Sequence, residues 1–269
     1  MLSPGEMGAA VGRRLRSGGW RVVTSLEGRS PRTRELAAAA GIEDAGTLRD
    51  AVRWADVLLS ILPPGRALDL ARAVGRDAGP LYVDCNAIAP ATALAVGEEV
   101  GERYVDGGIV GPPSAPRLYL SGPHAGELSD LPLEVRVLDG PLGHASALKM
   151  CYAALTKGLT ALLTESMVTA EGLGLRPALE AELADTQPQF LAAARSGLPG
   201  MVPKAYRWVA EMEEIAATFA ACGLTPKMLE GAAEVYRFVE AAAPEGGFEE
   251  VVAELERALL AVRELADRG

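Results

Sequence analysis

The chain has 269 residues, 49% of them hydrophobic and 23% charged, the proportions of a globular protein of one large or two modest domains. A formal charge of −10 excludes nucleic acid or an anionic membrane as a general partner, because both need a basic field; one small anion in a local basic pocket stays open. Three separated cysteines, Cys85, Cys151 and Cys222, form no CxxC pair and no metal-ligand cluster, so they read as reduced thiols and no metal is expected. With no signal peptide and no apolar run long enough to span a bilayer, the expected location is cytoplasmic.

Taken in order, residues 6–17 (EMGAAVGRRLRS) predict a helix closed by Gly18-Gly19, followed by a β-branched strand in residues 20–26. A second helix starts with Ser30 as N-cap and Pro31 at its first position, and stops at Gly41. A helix at TLRDAVRWA precedes the apolar strand DVLLSIL, which ends at Pro63-Pro64. Then come a helix at GRALDLARAVG, the strand LYVDCN, a helix over 90–101, and the strands YVDGGIV and RLYLSG. Short apolar strands alternating with helices predict a parallel sheet covered on both faces. Past residue 143 the strand signal ends. The stretch ASALKMCYAALTKGLTALLTESMVTAEGLG is long enough for a helix of roughly thirty residues. Further helices are expected near 177–196, 202–222, 226–240 and 247–267, so an α/β part over 1–142 precedes an all-helical part over 143–269.

Ser3-Pro4-Gly5-Glu6-Met7-Gly8 can be laid on the phosphate loop G-x-G-x-x-G, with serine in the first glycine's place. The second glycine lets the backbone approach a pyrophosphate, and the third lets the helix pack close to the sheet. Backbone N–H groups at the helix start then face the phosphates. Two glycines of three also arise by chance, but here a helix follows at once and a strand ends about twenty residues later, as such a unit requires. Only Met1 and Leu2 precede the loop, where about five or six apolar residues belong. The first strand is therefore expected to be truncated, with the native start a few residues upstream. At the end of the next strand, Glu27 suits a free ribose 2′-hydroxyl, whereas Arg29-Ser30, with Arg32 and Arg34 nearby, suits a 2′-phosphate. The basic set favours NADP over NAD; Arg32 and Arg34 are equally consistent with the solvated start of a helix.

This order of motifs resembles the 6-phosphogluconate dehydrogenase and β-hydroxyacid dehydrogenase superfamily over nearly the whole chain. Gly5-Glu6-Met7-Gly8 matches the second half of its G-x-G-x-M-G loop, and Gly28-Arg29-Ser30 its turn after the second strand. Ile61-Leu62-Pro63-Pro64 matches its proline loop near the nicotinamide, and Asp84 to Pro90 the aspartate, asparagine (Asn86) and proline of a later strand end. Gly140 to Gly143 and Lys149 fit the turn and lysine that open its long catalytic helix. The resemblance implies a Rossmann-type dinucleotide-binding domain and an all-α substrate and dimerisation domain. Ser3, Pro4, Gly5, Glu6, Met7, Arg29, Ser30, Leu62, Pro63 and Asn86 would meet the cofactor. Lys149 would act as general acid or base, with Asn86 orienting substrate, and the chain would form a homodimer through its helical part. Departures accompany the match: Ala153 stands where relatives carry asparagine, Val110-Gly111-Pro112 replaces the substrate-gripping S-G-G, and Ala210-Glu211 replaces a lysine-aspartate pair. The usual hydroxy-acid substrates therefore do not carry over.

Independently of the resemblance, no lysine precedes Lys149, and arginine cannot shed its proton near neutrality as lysine can. Lys149, Tyr152, Thr156, Thr160 and Thr164 lie about one turn apart on one helix stripe. A solvent face here would be expected to carry Glu and Arg, so the stripe reads as the lining of a polar cleft. A lysine partly desolvated there would have its pKa lowered towards neutrality, as proton transfer requires. Tyr152 is a second donor to a substrate oxygen or a packed structural tyrosine. Arg207 and Glu211 are weaker candidates on a helix of mixed charge, and His144 and His124 read as turn and loop residues without a role. The expectation is an NADP-dependent oxidoreductase acting on a small anionic hydroxy or keto molecule. An imine reductase on the same fold and a non-catalytic NADP-binding protein are the alternatives.

Overall fold

The structure, a computed structural model, describes Leu2, residues 4–76 and residues 79–266, with side chains to residue 261. It divides into two compact units, Met1–Tyr152 and Ala153–Gly269.

The first unit is α/β. Its apolar runs form β1 (Val23–Thr24), β3 (Val57–Ser60), β4 (Leu81–Asp84), β5 (Tyr104–Val110) and β6 (Arg117–Ser121). Two further strands, β2 (Glu43–Asp44) and β7 (Glu134–Val137), are short and mostly exposed, so they carry little of the hydrophobic signal that marks the others. β3, β4 and β5 run parallel, β6 is antiparallel to β5, and β7 is parallel to β6, giving one five-stranded sheet in chain order. β1 and β2 pair separately, also in parallel.

Leu2 lies on the outer edge of β3 as a single parallel bridge to Ser60. Its N–H donates to the Leu59 carbonyl at 2.9 Å, and its own carbonyl accepts from Ile61 N at 3.4 Å. Helices α1 (Glu6–Ser17), α2 (Pro31–Ala39), α3 (Leu48–Arg53), α4 (Ala67–Val74) and α5 (Pro90–Val100) complete the unit. Alternate residues of β4 feed different cores: Leu81 and Val83 join Val105 and Leu120, while Tyr82 joins Leu2, Leu58, Ile88 and Tyr104. That division is what a sheet buried on both faces requires.

A 29-residue helix, α6 (His144–Gly172), begins in the first unit and continues into the second. The second unit then holds α7 (Arg176–Thr186), α8 (Pro188–Met201), α9 (Ala205–Ala221), α10 (Lys227–Ala242) and α11 (Phe248–Ala266). The single helix expected over 177–196 is two. Gln187 sits at φ −144°, ψ 55°, because the ring of Pro188 disfavours the helical conformation in the residue before it. Within this unit the Arg176 guanidinium ties α7 to α6 and α11 through Glu171 and Glu249, and also pairs with Glu180. Trp208 on α9 meets Tyr236 on α10 edge to face, with ring centroids 5.2 Å apart. No helix among the described residues is long and apolar enough to cross a membrane.

Candidate active site

Because Leu2, β3, β4 and β5 are parallel, four segments leave the sheet at one edge: the Gly5 turn, the Ile61–Pro64 loop, Asn86, and Ile109–Gly111. The carboxyl edge is where open α/β sheets bind their ligands. Gly5 is the N-cap of α1, and no side chain caps that helix. A Cβ added to Gly5 would meet nothing within 4 Å, so the space before the helix start is open to an anion. The residues present thus fit the pyrophosphate of a dinucleotide. Ser3 lies outside the described residues. Pro4 is buried, and Met7 packs half-buried against the core beneath the turn.

The Leu26–Ser30 turn is joined to this helix start by an ion pair, Arg32 Nη2 donating to Glu6 Oε1 at 2.6 Å. Glu6 therefore points its carboxylate at Arg32. The guanidinium of Arg34 donates to the Leu26 carbonyl at 2.5 Å and the Arg29 carbonyl at 3.3 Å, holding the turn closed. Arg29, exposed beside Gly28 (φ +66°), takes no part in these bonds through its guanidinium. The basic cluster of the sequence thus resolves into one arginine that ties the turn, one neutralised by Glu6, and one facing outward. Ser30 caps α2, its Oγ accepting from Thr33 N at 3.3 Å.

Asn86 is held inside the protein. The resemblance assigns it to cofactor and substrate; it is 2% exposed, and its side chain bonds to three neighbouring residues. Its Nδ2 donates to Ser60 Oγ at 2.8 Å and Asp84 Oδ2 at 3.0 Å, while its Oδ1 accepts from Leu62 N at 2.5 Å. Asn86 therefore binds the end of β4 to the end of β3 and sets the position of Leu62 and Pro63. Those two residues, half-buried and exposed respectively, form the surface of the loop.

Lys149 lies in the second turn of α6, half-buried, with Nζ donating to the Ile109 carbonyl at 2.5 Å at the carboxyl end of β5. The helix comes this close because β5 has Gly108 there; a Cβ would stand 2.9 Å from the Ala145 carbonyl oxygen and 3.0 Å from Lys149 Cβ. Tyr152, one turn on, is 43% exposed. The threonine stripe is not a row of free donors. Thr156, Thr160 and Thr164 donate back to the carbonyls of Ala153, Thr156 and Thr160 at 3.4, 2.9 and 2.8 Å, as helical threonines do. The first unit thus brings the Gly5 turn, Leu62, Pro63 and Lys149 to one edge of the five-stranded sheet, with the Leu26–Ser30 turn linked to the start of α1 through Arg32 and Glu6.

In the second unit, Glu211 is a buried partner rather than a surface charge. It pairs with Lys157, the two side chains being 9% and 16% exposed. Lys157 Nζ stands 5.2 Å above the Trp208 ring, and Tyr236 donates to the Lys157 carbonyl at 2.5 Å. Burial pushes the Lys157 pKa down, Glu211 opposes that, and Arg207 and Lys204 add to the lowering. Lys157 is absent from the sequence-derived candidates. The signal was the rarity of lysine itself, which the chain uses only four times. Among the described residues no group of three His, Cys, Asp or Glu side chains is placed to hold a metal ion.

Residues 170–239 match a family model described as a domain of unknown function, DUF1932. An uncharacterized 28.5 kDa protein from the 7S RNA 5′ region of Methanothermus fervidus is 29% identical over 225 residues, 81% of this chain and 90% of the relative. A solved conserved protein of unknown function, reported for its structural similarity with 3-hydroxyacid dehydrogenases, is 33% identical at a TM-score of 0.66; the match covers 89% of this chain and 95% of that one. The chain belongs to the 6-phosphogluconate dehydrogenase and β-hydroxyacid dehydrogenase superfamily. This superfamily member also shares its fold with the 3-hydroxyisobutyrate dehydrogenase of Mycobacterium tuberculosis, solved with L-serine. That match has 20% identity and a TM-score of 0.68 over 94% of this chain and 97% of the other.

Proposed function

We propose that this superfamily member is an NADP-dependent oxidoreductase that moves hydride between the nicotinamide and a small anionic hydroxy or keto substrate, with Lys149 as general acid and base. The observation that carries the reading is the Lys149 amine held on the Ile109 carbonyl, at the sheet edge where the Gly5 turn and the Pro63 loop also open. The cofactor, when bound, supplies or accepts the hydride. Gly5 and the N–H groups that begin α1 hold its pyrophosphate, Arg29 faces the 2′-phosphate, and Leu62 and Pro63 form a wall. Lys149 binds the substrate oxygen that gains or loses a proton and moves that proton, while Ile109 keeps the amine from swinging away. Tyr152 supplies a second donor to the same oxygen.

The substrate class is tested with a panel of hydroxy acids, sugar acids and cyclic imines, each assayed with NADPH and NADH. Turnover of hydroxy or sugar acids is the expected result. Turnover of imines alone would replace the reading with imine reduction, and cofactor binding without any turnover would replace it with a binding protein. Arg29→Ala is expected to weaken NADPH binding about tenfold and leave NADH nearly unchanged, as loss of a charge-assisted phosphate contact predicts. Equal losses for both cofactors, measured by fluorescence titration, would overturn the role of Arg29.

The reading includes a homodimer through the helical unit. Leu155 and Leu162 on α6 are 75% and 57% exposed and stand two turns apart on one side of the helix, an apolar row that a second copy would cover. Sedimentation is expected to give two chains per particle, and a Leu155→Glu, Leu162→Glu double variant to give one. A wild-type monomer at assay concentrations would remove this part of the reading.

A further inference from the structure

We propose that Asp106 is a positioning residue for Lys149, the group that fixes where along β5 the catalytic helix begins. The proposal rests on the reading of Lys149 as the proton-transfer group. Asp106 is a charged residue in the middle of the otherwise apolar strand Tyr-Val-Asp-Gly-Gly-Ile-Val, and it is fully buried. Such a carboxylate persists only when its oxygens are satisfied, and here four donors reach them. Oδ2 accepts from Ser121 Oγ at 2.8 Å, Gly143 N at 3.0 Å and Ser146 N at 3.1 Å; Oδ1 accepts from Ser146 Oγ at 2.5 Å. Ser121 Oγ in turn accepts from Ala145 N at 3.0 Å.

Three backbone N–H groups around the start of α6 are therefore satisfied by one strand carboxylate and the serine beside it. An α-helix leaves such groups without intrahelical partners, and its dipole makes that end favour negative charge. Asp106 supplies the charge from inside the sheet rather than from a cap in the helix's own chain. Gly143 gives the turn its shape at φ +94°.

The geometric consequence reaches Lys149 through one short strand. Asp106 anchors the first turn, Gly108 allows the second turn to touch β5, and Ile109 accepts the lysine amine. One rigid strand thus sets both the helix origin and the acceptor of its lysine. A relaxed anchor would let the helix start slide or turn relative to β5, and the Nζ–Ile109 contact would loosen. A local shift of this kind is enough to spoil proton transfer without unfolding the domain.

The chain's four lysines, Lys149, Lys157, Lys204 and Lys227, make a substrate-free test practical. Full-length protein labelled with 13C at lysine Cε gives four signals, and Lys149→Arg identifies the one that belongs to Lys149. In Asp106→Asn, whose amide turns a donor towards the same N–H groups, the Lys149 signal is expected to move by more than its linewidth and to titrate at a different pH. Ser146→Ala and Ser121→Ala, which remove one neutral donor each, should move it less in the same direction. Lys157, held by Glu211 two turns further along the helix, should stay in place. A role limited to folding stability would lower the melting temperature and leave the Lys149 signal where it was. That outcome in any of the folded variants overturns the proposal, and the two serine variants decide it if Asp106→Asn does not fold. Because the readout needs no turnover, it separates the two claims. An active Lys149→Ala enzyme would defeat the proton-transfer reading alone, whereas an unmoved Lys149 signal would defeat the anchor alone.

Discussion

Lys149→Ala is expected to bind NADPH as the wild type does and to lose roughly 10²–10⁴-fold in turnover, the usual contribution of a positioned proton-transfer group. Binding should survive because the Gly5 turn and Arg29 are held by α1 and the Leu26–Ser30 turn, neither of which uses Lys149. Folding should survive because the residue is half-buried at the edge of its helix and removal of its stem leaves no sealed cavity. Turnover should fail because alanine has no group to carry the substrate's proton, and the Ile109 carbonyl has no amine left to hold in place. Lys149→Arg should fail as well. Arginine keeps its charge but cannot give up its proton near neutral pH, so a purely electrostatic role would be rescued by arginine and proton transfer would not. Near-wild-type turnover in either variant ends the assignment.

Glu211→Ala is expected to lower the stability of the helical unit by about 3 kcal/mol, the low end for breaking a buried ion pair from one side. The loss is large because Lys157 is left largely buried against Trp208 without its carboxylate. It falls at the low end because burial already pushes the Lys157 pKa down, which brings the neutral amine within reach. Replacing both partners by apolar residues of similar volume, Lys157→Met with Glu211→Leu, should recover most of the loss, since desolvating the charges is what the pair must overcome. Denaturant titration followed by tryptophan emission is informative here, because Trp208 is in the cluster whereas Trp20 and Trp54 are in the other unit. An unchanged midpoint in Glu211→Ala would show that the pair contributes nothing.

Much of the architecture is legible in residue order because it depends on local periodicity. The buried strands β3, β4 and β5 are continuous apolar runs, and α1, α2 and α5 start or stop at Gly and Pro positions whose backbone preferences act over a few residues. β7 escaped because Glu-Val-Arg-Val, mostly exposed, carries no burial pattern, and β2 is only two exposed acidic residues. The break at Gln187 was signalled by Pro188 but was masked by helix formers on both sides.

The candidate site was half legible for a related reason. Residue type singled out Lys149 and Arg29, whose chemistry is scarce or directional at those positions. Type alone could not say where a side chain spends its hydrogen bonds. Asn86 has the right chemistry for a ligand, and in this structure it directs both amide hydrogens at Ser60 and Asp84 and its oxygen at Leu62 N. Arg32 and Arg34 carry the charge expected of a phosphate site and direct it at Glu6 and at two backbone carbonyls.

By itself, then, the amino-acid order determined the α/β part and the helical part and singled out the Gly5 turn and Lys149 as candidates, because each is encoded by neighbours within a few turns or by a side chain with no substitute. Only the tertiary structure decided that Asp106 meets Ser146 forty residues away, that Lys157 meets Glu211, and that Lys149 rests on Ile109. Pairings of that kind depend on the register of strands and the docking of a helix. They are set by the packing of the whole unit, which no local pattern contains.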